Sequence, residues 1–479
     1  MKKIVALALV LALTLGFAGC GNKSASVNLT DDMSQHVNLK WYIRCEEPKG
    51  FDEVMAAVNE YLNEKLNATL ELVCVQPGDY NQKMQMAFAA QEDFDLVWTS
   101  NWSNPFEDNI DKGAYMELND LLEQVPELKE FYNEQIWKGV SVNDKIYGVP
   151  MYQAMTSQTG LAMKKDIVEK YGIDPYNIDS FDELTKVYQT VKDNEPGLYI
   201  TTTGTDYFRS KEMRTSSVVG IEINMQDEVL NDFDLREGYW HEMKEWNDRG
   251  FFPPDILTLS DTTALFKGEK VFSCYQRYLP GVDGKWKINY GYDVVTVPTN
   301  EPMINRGAIA STITSVSSSS KNPVRALKLL ALTHTDEYLL NLLCYGLEGR
   351  DYTKDPGNPK RMQRESGSYY ISEFMIGNQF LAYLVPSYED DVWEETEKLN
   401  KEAKIDPNIG FTFNREPVLS ELTNVTSVRN EYTKALSFGA GDTDKTIEEF
   451  RNKVTLAGLD KVQAEVEKQF TQWKQAQNQ

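Results

Sequence analysis

The sequence predicts an α/β architecture with mainly parallel sheets, and three observations carry that expectation. Strand-like segments at 38–45 (NLKWYIRC), 69–75 (TLELVCV) and 94–99 (FDLVWT) are rich in β-branched and aromatic residues. Between them the period changes: Phe51, Val54, Met55, Val58, Leu62 and Leu66 recur at helical spacing, and 80–90 reads the same way. Strand–helix–strand–helix–strand implies a parallel sheet with right-handed crossovers. At 41% hydrophobic and 11% aromatic over 479 residues, the chain also has enough apolar surface for more than one core.

Taken in order, the chain opens with Lys2 and Lys3 and an unbroken apolar run over 4–17. As a helix that run extends only ~21 Å, against ~30 Å for the hydrocarbon core of a bilayer. It reads as the apolar region of an export signal. The run ends in Phe17-Ala18-Gly19-Cys20, which resembles the lipobox of bacterial lipoproteins. There the cysteine is acylated and becomes the first mature residue; an ordinary signal peptide with an incidental Cys20 is the alternative. Residues 21–32 are small and polar, so a flexible tether is expected.

Beyond the three strands, 118–122 reads as helix and Lys145-Ile146-Tyr147-Gly148-Val149-Pro150 as a short strand reaching a boundary. A strand at 160–163 and a helix at 164–171 follow. Ser180 and Glu183 have capping-box spacing and open another helix. A second α/β body is expected through Val297, with a strand at 271–275. The stretch 304–316 is strand-like and ends in the run Ser317 to Ser320. Asn322-Pro323 then opens a long helix carrying Leu327, Leu330, Leu339, Leu342 and Leu343. A loop-rich stretch marked by Gly346, Gly349, Pro356, Gly357 and Pro359 comes next. Leu459, Val462, Val466, Phe470 and Trp473 form the core-facing stripe of a closing helix.

The formal charge of −24, from 49 basic and 73 acidic residues, repels phosphate backbones and argues against nucleic-acid binding. His36, His241 and His334 lie far apart without metal-type spacing, which argues against a histidine zinc site or a Ser-His-Asp hydrolase. Cys45 and Cys74 sit near the ends of the first two strands and are expected as neighbours. A disulfide is one reading and buried free thiols the better one. Cys274 and Cys344 are expected in different lobes and unbridged.

The order of these segments resembles the substrate-binding lipoproteins of ABC importers, specifically the carbohydrate-type extracellular solute-binding proteins of family 1. The resemblance rests on the lipobox, the Phe94-Asp95-Leu96-Val97 strand, Lys112-Gly113-Ala114 before Leu118, the 145–150 segment, the Asn322-Pro323 helix and Gly346-Leu347-Glu348-Gly349. The stretch from Ile409-Gly410-Phe411-Thr412-Phe413 to Trp473 is similar to a C-terminal domain of unknown function found in one branch of these proteins. The resemblance implies a two-lobed, periplasmic-binding-protein-like (type II) fold, each lobe a mixed, mainly parallel sheet flanked by helices. It places 33–155 and 300–345 in the first lobe, and 156–299 and 346–479 in the second. It further implies a monomer tethered to the membrane through lipidated Cys20. That monomer captures a carbohydrate, an oligosaccharide, between its lobes by hinge closure and delivers it to permease subunits. No catalytic residue, cofactor or metal is expected.

Ligands of parallel sheets collect beyond the carboxyl ends of the strands. Those ends carry Arg44 and Glu46 after the first strand, Asp79 after the second, and Asn101 and Trp102 after the third. A sugar offers apolar C–H faces to aromatic rings and hydroxyls to side chains that make two directed bonds. Trp102 is the foremost candidate. Tyr152 and Gln153 follow the boundary strand; Tyr207 and Arg209, then Tyr275, Arg277 and Tyr278, follow strands of the second body. Arg44 is also placed to pair with an acidic sugar. Trp240 and Trp246 read as core.

Two rivals stand beside this reading, with a purely structural surface protein as a third. One is the same fold binding a peptide or another small polar solute through backbone groups. The other is a surface glycoside hydrolase, which needs two carboxylates ~5–9.5 Å apart across a cleft. Glu46 with Asp79, or Asp390 with Glu394, could be proposed for it, but nothing in the sequence singles them out.

Overall fold

A computed structural model describes residues 30–204, 214–259, 261–365 and 367–477. The export signal, Cys20 and most of the expected tether lie outside the described residues. The strands of the two main sheets are, in chain order, β1 (Val37–Arg44), β2 (Ala68–Val75), β3 (Leu96–Thr99), β4 (Val149–Pro150), β5 (Thr159–Lys164), β6 (Tyr199–Thr201), β7 (Val271–Arg277), β8 (Val294–Pro298) and β9 (Ile313–Val316). The first sheet runs β2-β1-β3-β9-β4 and the second β8-β5-β7-β6.

In the first sheet β1 lies between β2 and β3 and runs parallel to both. Trp41, Tyr42 and Ile43 are all buried, as befits a central strand covered on both faces. The helix Phe51–Leu66 joins β1 to β2. It starts after Gly50, at φ 77°, and stops at Asn67, at φ 46°, both in the left-handed region that Gly and Asn tolerate best. Its buried stripe is Val54, Met55, Val58, Leu62 and Leu66. The helix Tyr80–Ala89 joins β2 to β3. Just before β3, the Asp95 carboxylate accepts from the Lys40 amide at 3.0 Å and the Ser320 hydroxyl at 2.6 Å, tying the serine run to the sheet.

The second sheet is also mixed, but β5 is antiparallel to both β7 and β8, and only β7 and β6 pair in parallel. That departs from the expected mainly parallel order. The chain enters this lobe along β5 and leaves it along β8; as neighbours, with Gly160 opposite Pro298, they must run in opposite directions. The crossings are therefore 151–158 outward and 299–305 back. A third crossing pairs Lys404–Ile405 in parallel with Met303–Ile304.

Two main hydrophobic cores match the two lobes. The first draws on 39–155, 304–383 and Ile409, the second on 161–297 and 411–470. Residues 346–403, expected with the second lobe, instead pack on the first: Tyr352, Met362, Tyr369, Ile376 and Tyr383 are all in its core. Tyr345 explains the attachment, since it contacts Tyr352 and Tyr383 and stacks on Tyr370. The closing helices Leu419–Ser437, Thr443–Ala457 and Leu459–Gln477 lay Val425, Phe450, Val462 and Phe470 on the second core, beside the buried Trp240 and Trp246.

Arg325 is fully buried. It pairs with Asp31 at 2.9 Å and donates to the carbonyls of Asp32 and Asn67. The last residues of the expected tether are thus fixed to the first lobe. Cys45, Cys74, Cys274 and Cys344 are free thiols, and hydrogen bonding between Cys45 and Cys74 raises the Cys45 thiol pKa. Among the described residues, no helix is long and apolar enough to cross a membrane.

Candidate functional site

The loop after β3 presents an aromatic ring between the lobes. Its backbone is held locally, because the Ser100 hydroxyl accepts from the Ser103 amide at 2.8 Å and donates to the Ser103 carbonyl at 2.9 Å. The Asn101 amide donates to the Ala310 carbonyl at 2.8 Å, and its side chain to the Gly307 carbonyl at 2.9 Å. Trp102 Nε1 donates to the Ser311 carbonyl at 2.9 Å. The indole meets Trp98 edge-on and carries the Arg44 guanidinium over its ring at 5.0 Å. Despite these restraints Trp102 is 52% exposed, a rigid aromatic face left open.

That face lines a cleft of about 510 Å³ between the lobes. Gln153 and Ala154 of the first crossing form its floor, and Gln153 Nε2 lies 3.4 Å from the Ser311 hydroxyl. Arg277, at the end of β7, reaches across the crossing and donates through Nη2 to the Ala154 and Thr156 carbonyls. The helix Val282–Tyr290 supplies Lys285, Ile288 and Asn289 from the second lobe. Opposite it stand Tyr345, Arg364, Tyr370 and Glu373 of the first. The hydroxyls of Tyr345 and Tyr370 both donate to Glu373, and burial, reinforced by the negative charge of Glu373, pushes both phenols well above their ordinary range. The Arg364 guanidinium sits 4.2 Å from the Tyr370 ring centroid.

The lobes also touch directly. A Cβ added at Gly284 would lie 2.2 Å from the Ser387 carbonyl oxygen, and one at Gly281 2.6 Å from a Val392 methyl. Glycine at these positions lets the helix approach the opposite wall.

A second interlobar hollow, about 650 Å³, lies beside Asn101. It is larger, but its cations are committed: Arg306 to Glu107 at 2.8 Å, Arg415 to Asp108 at 2.6 Å and Arg236 to Glu222 at 2.9 Å. Binding sites combine apolar and aromatic lining with a few available polar groups. The Trp102 cleft fits that description better.

Of the residues singled out in the sequence, Trp102, Gln153 and Arg277 line the Trp102 cleft, and Arg44 packs on Trp102. Asn101 lines the neighbouring hollow. Tyr152 does not line the cleft: its ring packs 5.2 Å from Phe131 and 4.7 Å from Phe380 within the first core. Tyr275 packs on the second core, its hydroxyl 2.6 Å from that of Thr159. Tyr278 is half-buried, its amide bonded to the Gln158 carbonyl, and does not line the cleft. Glu46 and Asp79 are exposed loop residues outside the cleft lining. Tyr207 and Arg209 lie outside the described residues. The wall of Tyr345, Arg364, Tyr370, Glu373 and Trp393 was not foreseen. Its aromatic density was visible in the sequence, but it has no period to say which side it faces.

Comparison with known proteins places these features. The sequence model of bacterial extracellular solute-binding proteins matches residues 46–338, and a domain of unknown function, DUF3502, matches 407–475. A carbohydrate ABC transporter substrate-binding protein of Streptococcus pneumoniae is 27% identical over 489 residues, covering 98% of both chains. The crystal structure of the N-glycan transport solute binding protein NgtS, also from Streptococcus pneumoniae, superposes with a TM-score of 0.81 at 24% identity, over 91% of this chain and 99% of that one. NgtS in complex with Man1GlcNAc superposes at 0.74 and 25% identity, over 91% and 99%.

Proposed function

The chain belongs to the bacterial extracellular solute-binding proteins, and from that premise we propose that it captures an oligosaccharide in the Trp102 cleft by hinge closure and passes it unchanged to an ABC permease. The observation that carries this reading is Trp102 itself, pinned through its backbone neighbours and its indole N–H yet open on a face that opposes the second lobe. A pre-positioned aromatic ring suits the C–H face of a sugar, and Gln153, Asn289 and Arg277 supply directed hydrogen bonds for hydroxyls. The cleft volume of about 510 Å³ falls within the ~300–1,000 Å³ usual for ligand pockets. The carbohydrate transport role of the pneumococcal relatives supports the same ligand class.

Closure follows from the crossings. Among the described residues three segments join the lobes, and a ligand touching both walls stabilises the closed arrangement, whereas one touching a single wall shifts little. Glu373 is the one carboxylate among the residues lining the cleft, and both its oxygens accept from tyrosine hydroxyls. Glycoside hydrolysis calls for a carboxyl pair across the cleft, so the lining favours binding without turnover. The protein works outside the cytoplasm. We take acylated Cys20 as the anchor that keeps a monomeric body near its permease, raising its effective concentration there.

Calorimetric titration against a panel of oligosaccharides, peptides and small polar solutes, with chromatography of the recovered ligand, tests the reading. Saturable binding of an oligosaccharide recovered intact is expected. Binding confined to peptides, or recovery of cleavage products, overturns it.

A further inference from the structure

We propose that the Trp102 cleft selects an anionic oligosaccharide, one bearing a carboxylate or sulfate, through Arg277, Lys285 and Arg364. The inference rests on the oligosaccharide reading above.

The arginines of this chain divide sharply. Away from the cleft, every arginine whose side chain is described pairs with a carboxylate. Arg236 meets Glu222, Arg249 Glu245, Arg306 Glu107, Arg325 Asp31 and Arg350 Asp351. Arg361 likewise meets Asp390, Arg415 Asp108, Arg429 Asp232 and Arg451 Glu237. The three without a carboxylate among the described residues are Arg44, Arg277 and Arg364. Arg277 and Arg364 line the Trp102 cleft, and Arg44 lies over the Trp102 ring. Lys285, on the same wall as Arg277, has no carboxylate partner among the described residues either.

On a chain of net charge −24, unpaired cations gathered at one place form a local field opposite to that of the whole surface. The single acid lining the cleft, Glu373, accepts from Tyr345 and Tyr370 and is ion-paired with none of these cations among the described residues, so its one negative charge offsets only part of theirs. Arg277 spends Nη2 on backbone carbonyls, while its Nε and Nη1 have no acceptor among the described residues. A guanidinium fork matches the planar geometry of a carboxylate and also pairs well with sulfate. Neutral sugar hydroxyls would use such donors without needing their charge. The clustering of uncommitted charge, absent from the larger hollow beside Asn101, is what points to an anion.

The test is calorimetry on the full mature chain with three matched probes: a neutral oligosaccharide, the same glycan ending in a sialic acid, and a sulfate ester of it. At low ionic strength an anionic probe is expected to bind on the order of tenfold tighter than the neutral one. High salt should erode that preference, since the cleft is open to screening. The sialylated and sulfated arms identify which anion is preferred. Arg364→Gln and Lys285→Gln, both at exposed positions that spare the fold, should each narrow the preference at least threefold, measured as the ratio of the two affinities. Equal or tighter binding of the neutral probe at low salt overturns the inference and leaves the oligosaccharide reading intact. If no probe binds, neutral or charged, the oligosaccharide reading fails and takes this inference with it.

Discussion

The Arg44 guanidinium lies 5.0 Å from the ring centroid of Trp102. These residues come from the carboxyl ends of adjacent parallel strands, β1 and β3, so the sheet itself brings the cation to the indole. Trp102→Ala is expected to weaken oligosaccharide binding about 10- to 100-fold, the range for losing a central aromatic anchor worth ~1.5–3 kcal/mol. The unfolding midpoint should barely move, because the ring is 52% exposed. Arg44→Ala should cost only about two- to fivefold, in line with a cation–π contact of ~0.5–1 kcal/mol. Calorimetric titration beside thermal unfolding checks both; an unchanged affinity for Trp102→Ala contradicts the assignment.

Gly284 tests closure separately from contact. Its missing Cβ would lie 2.2 Å from the Ser387 carbonyl oxygen, a distance that real structures do not tolerate. Gly284→Ala must hold the helix Val282–Tyr290 off the opposite wall, though it removes no ligand contact. Affinity should fall about tenfold while stability changes by less than ~1 kcal/mol. A variant that binds as tightly as the parent would show that the walls need not meet.

Arg325 anchors the start of the body. Burial alone would raise the Asp31 carboxyl, but hydrogen bonds from Arg325 and Lys328 outweigh it and hold its pKa below the ordinary value. Because the folded pKa is depressed, this pair stabilises the fold above about pH 4, and the contribution is lost as pH falls through the folded pKa. Arg325→Ala should lower stability by about 3 kcal/mol at neutral pH, since it also strips donors from several buried carbonyls. Denaturant unfolding at neutral and acidic pH measures it; the gap between variant and parent should narrow on acidification.

Asp406 has the opposite sign. It follows the third crossing strand, its amide donates to the Ile304 carbonyl at 2.9 Å, and its Oδ1 accepts from the Asn408 amide at 2.7 Å. Oδ2 is buried without a hydrogen-bond partner among the described residues. Burial raises its pKa to about 6; the Asn408 amide and Lys474 oppose the shift and Asp227 adds to it. A raised folded pKa gives stability that is complete below about pH 4 and lost as pH rises through about 6. The loss is about 2–3 kcal/mol at ~1.4 kcal/mol per unit. Asp406→Asn should remove that part of the slope, visible as the difference between parent and variant unfolding curves across pH 4–7. Parallel profiles would contradict the assignment.

Much of the first lobe was legible because period changes with secondary structure. Val54, Val58, Leu62 and Leu66 announced their helix, and Trp102 stood out because parallel strands end where ligands gather. Tyr152 misled for a related reason: position after a strand does not say which side of the crossing a ring packs on. Loop-rich sequence has no period, so neither the attachment of 346–403 to the first lobe nor the wall of Tyr345, Arg364, Tyr370 and Glu373 could be read from it. The antiparallel setting of β5 and β8 depends on where the chain re-enters the first lobe, a non-local fact.

The most direct test of the account is a crystal structure of the mature chain with a bound oligosaccharide. A sugar ring on the exposed face of Trp102, with Arg277 and the helix Val282–Tyr290 closing over an uncleaved ligand, is the predicted result. A ligand seated instead in the hollow between Glu107 and Arg415, or touching one lobe only, would contradict it.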